Sequence, residues 1–384
     1  MNKKIIKEAF WLRALACLAV VTVHAVYTTL GHYEQSIGTI SEYTLILLRF
    51  LAFFGTPAFV FISELLLARS YPDRVPKGFF RKRVKFLLVP FLLMAVVYAV
   101  MLGNTWTETA ERLFNNWFLA GFTGYFVLII FQFYFLHVLL HKKLRNWPAK
   151  IVLPAALLIN AAYLAFFNFS EPANIFFAEQ IWSSAHWLPF TGWIFYFTLG
   201  YYAGRNYEKF LALLHRKKKL FFALPAVSML LLIVFVRTDI LTVVSSKRID
   251  ILLYTTGMIS VIFILASYRK KVPGFIMTIN KYSFNIYLLH NIFLYNLPFI
   301  SFLHPIMYFA FAFCIGVAAP ILISRLLSGW TFSPYLIGKT LPAPKGHKVK
   351  KQMRNSVTTG CRSYGGYSRR KTIYGPHNEE SSAR

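Results

Sequence analysis

His24 lies eleven residues after Arg13 in the apolar run FWLRALACLAVVTVHAVYTTL. At about 100° per residue that interval is three helical turns plus roughly 20°, so a helix carries both side chains on one face, about 16 Å apart along its axis. A guanidinium is a planar fork for oxyanions, and an imidazole exchanges a proton near neutral pH. One helix face thus offers an anion contact at one end and acid–base chemistry at the other. Blander readings exist for each residue alone. Arg13 reads as an arginine snorkelling to an interface, and His24 as an inter-helix hydrogen bond without chemistry.

Ionisable groups inside apolar runs are costly and mark function by default. His290, in YSFNIYLLHNIF, lies 15 residues into its run, against 14 for His24, so the two imidazoles reach similar depth and can share a cavity. Its bland reading is a histidine bonded to a backbone carbonyl. Lys281, less deep on the same run, and Arg49, near the far end of the second, are further candidates to line a cavity; Arg49 alternatively pairs with Glu42. Glu64 is expected to pair with Arg69 or a neighbouring basic loop, and His137 and His141 to sit at an interface. The chain holds no G-x-S-x-G elbow, P-loop, H-E-x-x-H or dinucleotide fingerprint. Its three cysteines, Cys17, Cys314 and Cys361, are too few and scattered for a disulfide framework or a cysteine metal site. No metal and no bound cofactor are expected, and any chemistry falls to residues on the apolar runs.

The elements that must position these residues follow from composition. Of 384 residues, 57% are hydrophobic, 18% aromatic and only 15% charged, which excludes a soluble or disordered chain. A bilayer core needs about 20 apolar residues per helix. Ten such runs are visible, at 10–30, 43–68, 86–102, 124–140, 151–169, 187–203, 220–236, 251–267, 275–297 and 305–327. The first follows Lys3, Lys4 and Lys7 as a signal peptide would, but it is longer than a signal core and reads as retained. The fold class is an all-α, multi-pass membrane protein of about ten transmembrane helices.

The net charge of +28 would suggest nucleic acid in a soluble protein. Here its distribution assigns it to membrane topology. With ten spans and both termini on one side, 34 of the 42 Lys and Arg fall in segments on that side, 4 in the opposite loops and 4 in or beside spans. That asymmetry places both termini in the cytoplasm, with the lipid bilayer as partner and nucleic acid excluded. The opposite loops carry Trp106, Trp117 and Trp182, read as interfacial anchors or as platforms for a sugar ring. Residues 1–330 form the expected membrane domain; 331–384 read as a basic, disordered cytoplasmic tail able to lie on anionic lipid.

Several of these pieces together resemble the acyltransferase 3 family of integral-membrane O-acyltransferases. Its hallmark is an arginine and a histidine with ten residues between them in the first span, matched by Arg13 and His24. FVFISELLL (59–67) resembles the family's FF-x-x-SGFLL, FFRKRVKFLLVPF (79–91) its basic loop before a Pro-containing span, FYFTLGYYAG (195–204) its F-x-LGY span, and YSFNIYLLH (282–290) its S-x-x-IYLxH. The similarity runs from about residue 10 to 325 and is greatest to members that modify bacterial surface polysaccharides, including the intercellular-adhesin branch. Two departures stand out: Glu64 replaces the usual Gly, and the basic loop reads RKRVK without clean arginine pairing. Longer members carry a fused extracytoplasmic hydrolase-like domain, for which this chain leaves no room, so the acceptor is expected to be modified in the membrane cavity.

The resemblance implies a multi-pass protein of the bacterial plasma membrane that transfers an acyl group from a cytoplasmic donor, commonly acyl-CoA, to a hydroxyl of a glycan or lipid-linked sugar. It implies Arg13 as a contact for the donor's phosphates and His24 as general base for the acceptor hydroxyl, a role typically worth about 10² to 10⁴ in rate. An extended pantetheine arm is of the order of the roughly 16 Å between them. The competing reading is an exporter or flippase for a polysaccharide or its lipid-linked precursor, with Pro57, Pro90, Pro154, Pro225 and Pro320 marking broken helices. A scaffold without a site leaves the Arg13 and His24 geometry without purpose.

Overall fold

Inside a bilayer the backbone must bond to itself, and the chain meets this with helices. The computed structural model describes residues 6–119, 121–172 and 178–341. Among these residues there is no strand. The α-helices, in chain order, are α1 (Lys7–Tyr33), α2 (Thr39–Ala52), α3 (Gly55–Ser70), α4 (Phe79–Arg83), α5 (Val89–Leu102), α6 (Trp106–Phe118), α7 (Phe126–Asn146), α8 (Ala149–Phe169), α9 (Ala178–Ala185), α10 (Ile194–Arg205), α11 (Tyr207–Arg216), α12 (Lys218–Arg237), α13 (Ile251–Ser267), α14 (Gly274–Tyr295), α15 (Pro305–Leu326) and α16 (Ser333–Leu336).

Each of the ten apolar runs contains helix, but among the described residues seven helical stretches are long and apolar enough to cross a membrane. The three runs that fall short are α10, with 12 residues, α13, with 17, and α14, which spends part of its 22 residues on polar side chains. All three are largely buried against other helices, so their surroundings need not be lipid. Leu139, Leu158 and Leu230 point outward from α7, α8 and α12, where hydrocarbon suits them better than water.

Two segments expected as loops are helical. Thr105 caps α6 by accepting from the Glu108 backbone N–H at 3.2 Å, and Asn116 and Trp117 tie that helix to the Ala95 and Leu92 carbonyls of α5. The segment after α10 forms α11, whose Glu208 meets Arg69 of α3 at 2.7 Å.

The second apolar run is broken. Helix α2 stops at Ala52 and α3 begins at Gly55, because Pro57 has no N–H to return to the Phe53 carbonyl and its ring crowds that carbonyl. A π-helical turn, Val84–Leu88, precedes Pro90 in the next run, again where a proline removes a helical donor; such turns gather at functional sites.

Helix α1 packs against α2, α3, α13, α14 and α15, so its two polar residues face neighbours on several sides. Helices α3 and α10 approach most closely. A Cβ at Gly200 would lie 2.6 Å from the Phe61 carbonyl oxygen, and one at Gly204 would meet the Leu65 carbonyl oxygen still more tightly. Small residues at such crossings bring backbones together where no hydrophobic force separates helix from lipid.

The chain beyond 330 does not leave the body at once. Asn285 of α14 donates to the carbonyls of Ile337 and Gly338 at 2.8 and 3.0 Å, and the Leu341 N–H donates to the Lys281 carbonyl. Of the tail expected from 331 to 384, residues 342–384 lie outside the described residues.

Candidate active site

Arg13 and His24 keep the shared helix face that their spacing dictates, and each lines its own cavity. Arg13 borders a space of about 200 Å³ with Ser63, Tyr134, Ser283 and Tyr287. The Arg83 guanidinium stands 5.2 Å over the Tyr134 ring, so a second cation flanks the same aromatic. His24 borders a cavity of about 170 Å³ with Arg49, Tyr125, Ser245, Ser246 and Lys247. The break between α2 and α3 supplies Phe53 and Thr56 to that wall, an instance of irregular backbone placed where it lines a cavity.

One short segment touches both spaces. Tyr125 lines the His24 cavity and the next residue, Phe126, lines the Arg13 cavity. Tyr287 of α14 holds the segment by donating its hydroxyl to the Thr123 carbonyl at 2.6 Å and accepting from the Phe126 N–H at 3.0 Å.

Behind His24 stand His290 and Asn291 of α14. The two imidazole centroids are 5.0 Å apart, so the rings are neighbours, although His290 lines neither of the two cavities. His290 is fully buried. Its Nδ1 lies 2.9 Å from the carbonyls of Ile286 and Tyr287, which can only accept, so Nδ1 carries the proton and Nε2 is bare. Nε2 has no hydrogen-bond partner. The Asn291 amide lies 3.3 Å from His24 Nδ1, while its Oδ1 is buried without a partner. The amide nitrogen also lies 3.5 Å from the Tyr295 hydroxyl; with the amide turned, Oδ1 would accept from His24 Nδ1–H, and His24 Nε2 would be free of hydrogen.

The far wall is a rigid loop between α12 and α13. Arg248, fully buried, forks onto Asp250 at 2.6 and 3.0 Å and donates to the carbonyls of Leu241 and Val243. This fixes Ser245, Ser246 and Lys247 against the cavity, with Lys247 Nζ 5.1 Å from the Tyr125 ring centre and 5.4 Å from that of Trp187.

With this arrangement in view, the family profile described as Acyltransferase domain matches residues 8–325. The chain belongs to the acyltransferase 3 family. It is 39% identical over 364 residues, 91% of its length and 99% of the relative's, to a Bacillus subtilis (strain 168) protein named "Putative membrane-bound acyltransferase YfiQ". It is 30% identical over 306 residues, 77% of its length and 84% of the relative's, to a Staphylococcus aureus (strain MRSA252) protein named "Probable poly-beta-1,6-N-acetyl-D-glucosamine export protein". A Staphylococcus epidermidis protein of the same name is 29% identical over 296 residues, covering 76% of this chain and 81% of that one. No solved structure matches the chain.

In this membrane acyltransferase the other candidates divide. Arg49 lines the His24 cavity and, among the described residues, forms no ion pair with Glu42 or any other acid. Lys281 is exposed, its Nζ 4.8 Å from the Tyr282 ring centre, and lines neither cavity. Glu64 does not pair with Arg69. Its Oε1 lies 2.6 Å from Nδ1 of His137, both residues fully buried, so His137 joins α3 to α7 rather than sitting at an interface. Among the described residues no group of three His, Cys, Asp or Glu side chains could hold a metal. Lys247, Tyr287 and Asn291 went unremarked in the sequence. Asn291 directly follows His290, the one available signal; Lys247 lies in a loop with no period to place it.

Proposed function

We propose that this acyltransferase moves an acyl group from cytoplasmic acyl-CoA to a hydroxyl of a cell-surface or lipid-linked glycan, in the bacterial plasma membrane, with His24 as general base. The observation that carries the reading is His24 at a cavity wall, its Nδ1 beside the Asn291 amide and its ring backed by His290. In this reading the cation-flanked Arg13 cavity opens to the cytoplasm and receives the CoA end, where a guanidinium gives phosphate oxygens a charge-assisted contact.

The chemistry then runs as acyl transfer. His24 Nε2 takes the proton of the acceptor hydroxyl as its oxygen attacks the thioester carbonyl carbon. The tetrahedral intermediate collapses with cleavage of the C–S bond, and the proton on His24 passes to the departing thiolate, leaving an ester and free CoA. The site can act at neutral pH because the bare ring nitrogen accepts a proton without first losing one. A glycan acceptor is supported by the names of the staphylococcal relatives, which concern poly-beta-1,6-N-acetyl-D-glucosamine.

Those same names favour a second reading, export of a polysaccharide. Purified protein given radiolabelled acyl-CoA and a neutral β-linked N-acetylglucosamine oligomer separates the two. Formation of an O-acyl ester, absent with His24→Ala, supports transfer. Glycan passage across proteoliposomes without CoA consumption, unaltered by His24→Ala, would overturn it.

A further inference from the structure

The His24 cavity carries more positive charge than a general base requires. Arg49 and Lys247 line it together with the imidazole, and no Asp or Glu does. Arg49 Nε is buried without a partner, and neither cation forms an ion pair among the described residues. Of the acids nearby in sequence, Asp250 is forked by Arg248, and Glu42 forms no ion pair among the described residues. The backbone of Lys247 is held at the cavity by the Arg248 scaffold and by Asn168, which donates to its carbonyl at 3.2 Å.

Two cations held against a membrane cavity without a counter-charge are costly, and a ligand anion offsets that cost. The surrounding hydroxyls, Ser245, Ser246 and Tyr125, supply neutral donors of the kind that complete an oxyanion's shell. We propose that Arg49 and Lys247 form an oxyanion subsite beside His24, which binds a carboxylate or phosphate group carried by a substrate. This deepens the acyl-transfer reading and rests on that cavity being the reaction chamber. The two chemical sources are a carboxylate, on the acyl chain or the sugar, and a phosphate monoester, on a lipid carrier. In either case the anion anchors the substrate by its charge, while a neutral hydroxyl or carbonyl is left opposite His24.

Binding read without turnover tests the subsite separately from the chemistry. Full-length protein in detergent is heated with methyl phosphate, acetate or uncharged acetamide at matched ionic strength, and the unfolding midpoint is followed against probe concentration. A ligand that binds the folded state raises that midpoint in a saturable way. The expected result is a saturable rise with at least one anion, none with acetamide, and a loss of tenfold or more in apparent affinity in Arg49→Gln and in Lys247→Gln. Arg49→Lys keeps part of the effect, and Arg112→Gln, which removes a cation paired with Glu108 away from the cavity, keeps all of it. A response to acetate alone assigns a carboxylate, and one to methyl phosphate alone assigns a phosphate. If Arg49→Gln does not fold, Lys247→Gln, a loop substitution, carries the comparison. No saturable rise with either anion, or a rise that both Gln variants retain, overturns the subsite and leaves acyl transfer by His24 standing.

Discussion

The side-chain amide of Asn291 lies 3.3 Å from Nδ1 of His24, across the contact between α1 and α14. An acceptor at that position fixes the histidine tautomer, as hydrogen bonding to one ring nitrogen sets the chemistry of the other. Asn291→Asp, which can only accept when ionised, should retain transfer. Asn291→Leu should lower single-turnover transfer by roughly tenfold to a hundredfold, part of the 10² to 10⁴ a general base supplies. Donor affinity should not change. Rapid-quench measurement beside an acyl-CoA binding isotherm checks both, and equal transfer in the Leu variant removes Asn291 from the mechanism.

Arg13 and His24 should fail in different ways. Arg13→Ala should weaken CoA binding by about tenfold or more, the scale of a lost charged hydrogen bond, and Arg13→Lys should restore part, since a point charge replaces a fork. His24→Ala should leave CoA affinity intact and abolish most transfer. Near-normal transfer in well-inserted His24→Ala would defeat the base assignment.

The crossing of α3 and α10 allows no added methyl. Gly204→Ala should destabilise the protein by about 1–3 kcal/mol, the usual cost of overpacking, because the new Cβ meets the Leu65 carbonyl of the facing backbone. Gly31→Ala, where nothing lies within 4 Å, is the control. Midpoints of thermal unfolding in one detergent should separate them.

Truncation should divide sharply near Leu341. Ending the chain after Leu341 should leave acyl transfer largely intact, since the sequence beyond has no apolar period. Ending it after Gly329 removes α16 and both carbonyls that Asn285 bonds, leaving a buried amide unsatisfied at a cost of about 1–3 kcal/mol. The yield of folded protein after membrane extraction reports the difference.

The charge asymmetry predicts an orientation for the chain. Single cysteines placed in 205–219 should react only with a permeant reagent in intact cells, and cysteines in 31–42 with an impermeant one. External labelling within 205–219 would reverse the assignment of donor and acceptor sides.

Helical period made Arg13 and His24 legible together, because a face is a sequence property once the helix is granted. That His290 could come near His24 followed from counting along the two runs, and the rings are neighbours. Contacts between elements obey no such count. Glu64 is five residues from Arg69 in sequence, yet it bonds His137 of α7 because a buried carboxyl takes the partner the fold presents. Pro57 was visible as a possible break, but not that the break would give Phe53 and Thr56 to the His24 wall. Lys247 owes its place to Arg248, whose four hydrogen bonds are made within an irregular loop. The expected loops at α6 and α11 became helices as short amphipathic segments lying against a larger bundle, the first capped by Thr105 and the second held by the Glu208 pair with Arg69.

The clamp that Tyr287 places on residues 123–126 bears on bioenergetics. In the proposed orientation one cavity is open to each aqueous phase, and a continuous channel between them would let protons run down the membrane potential. Tyr125 lines one space and Phe126 the other, so the segment that Tyr287 bonds divides them and, for transfer to occur, has to admit the acyl arm of the donor without passing a column of water. Tyr287→Ala would then be toxic when overexpressed, through depolarisation of the cell, even where the acyl acceptor is missing.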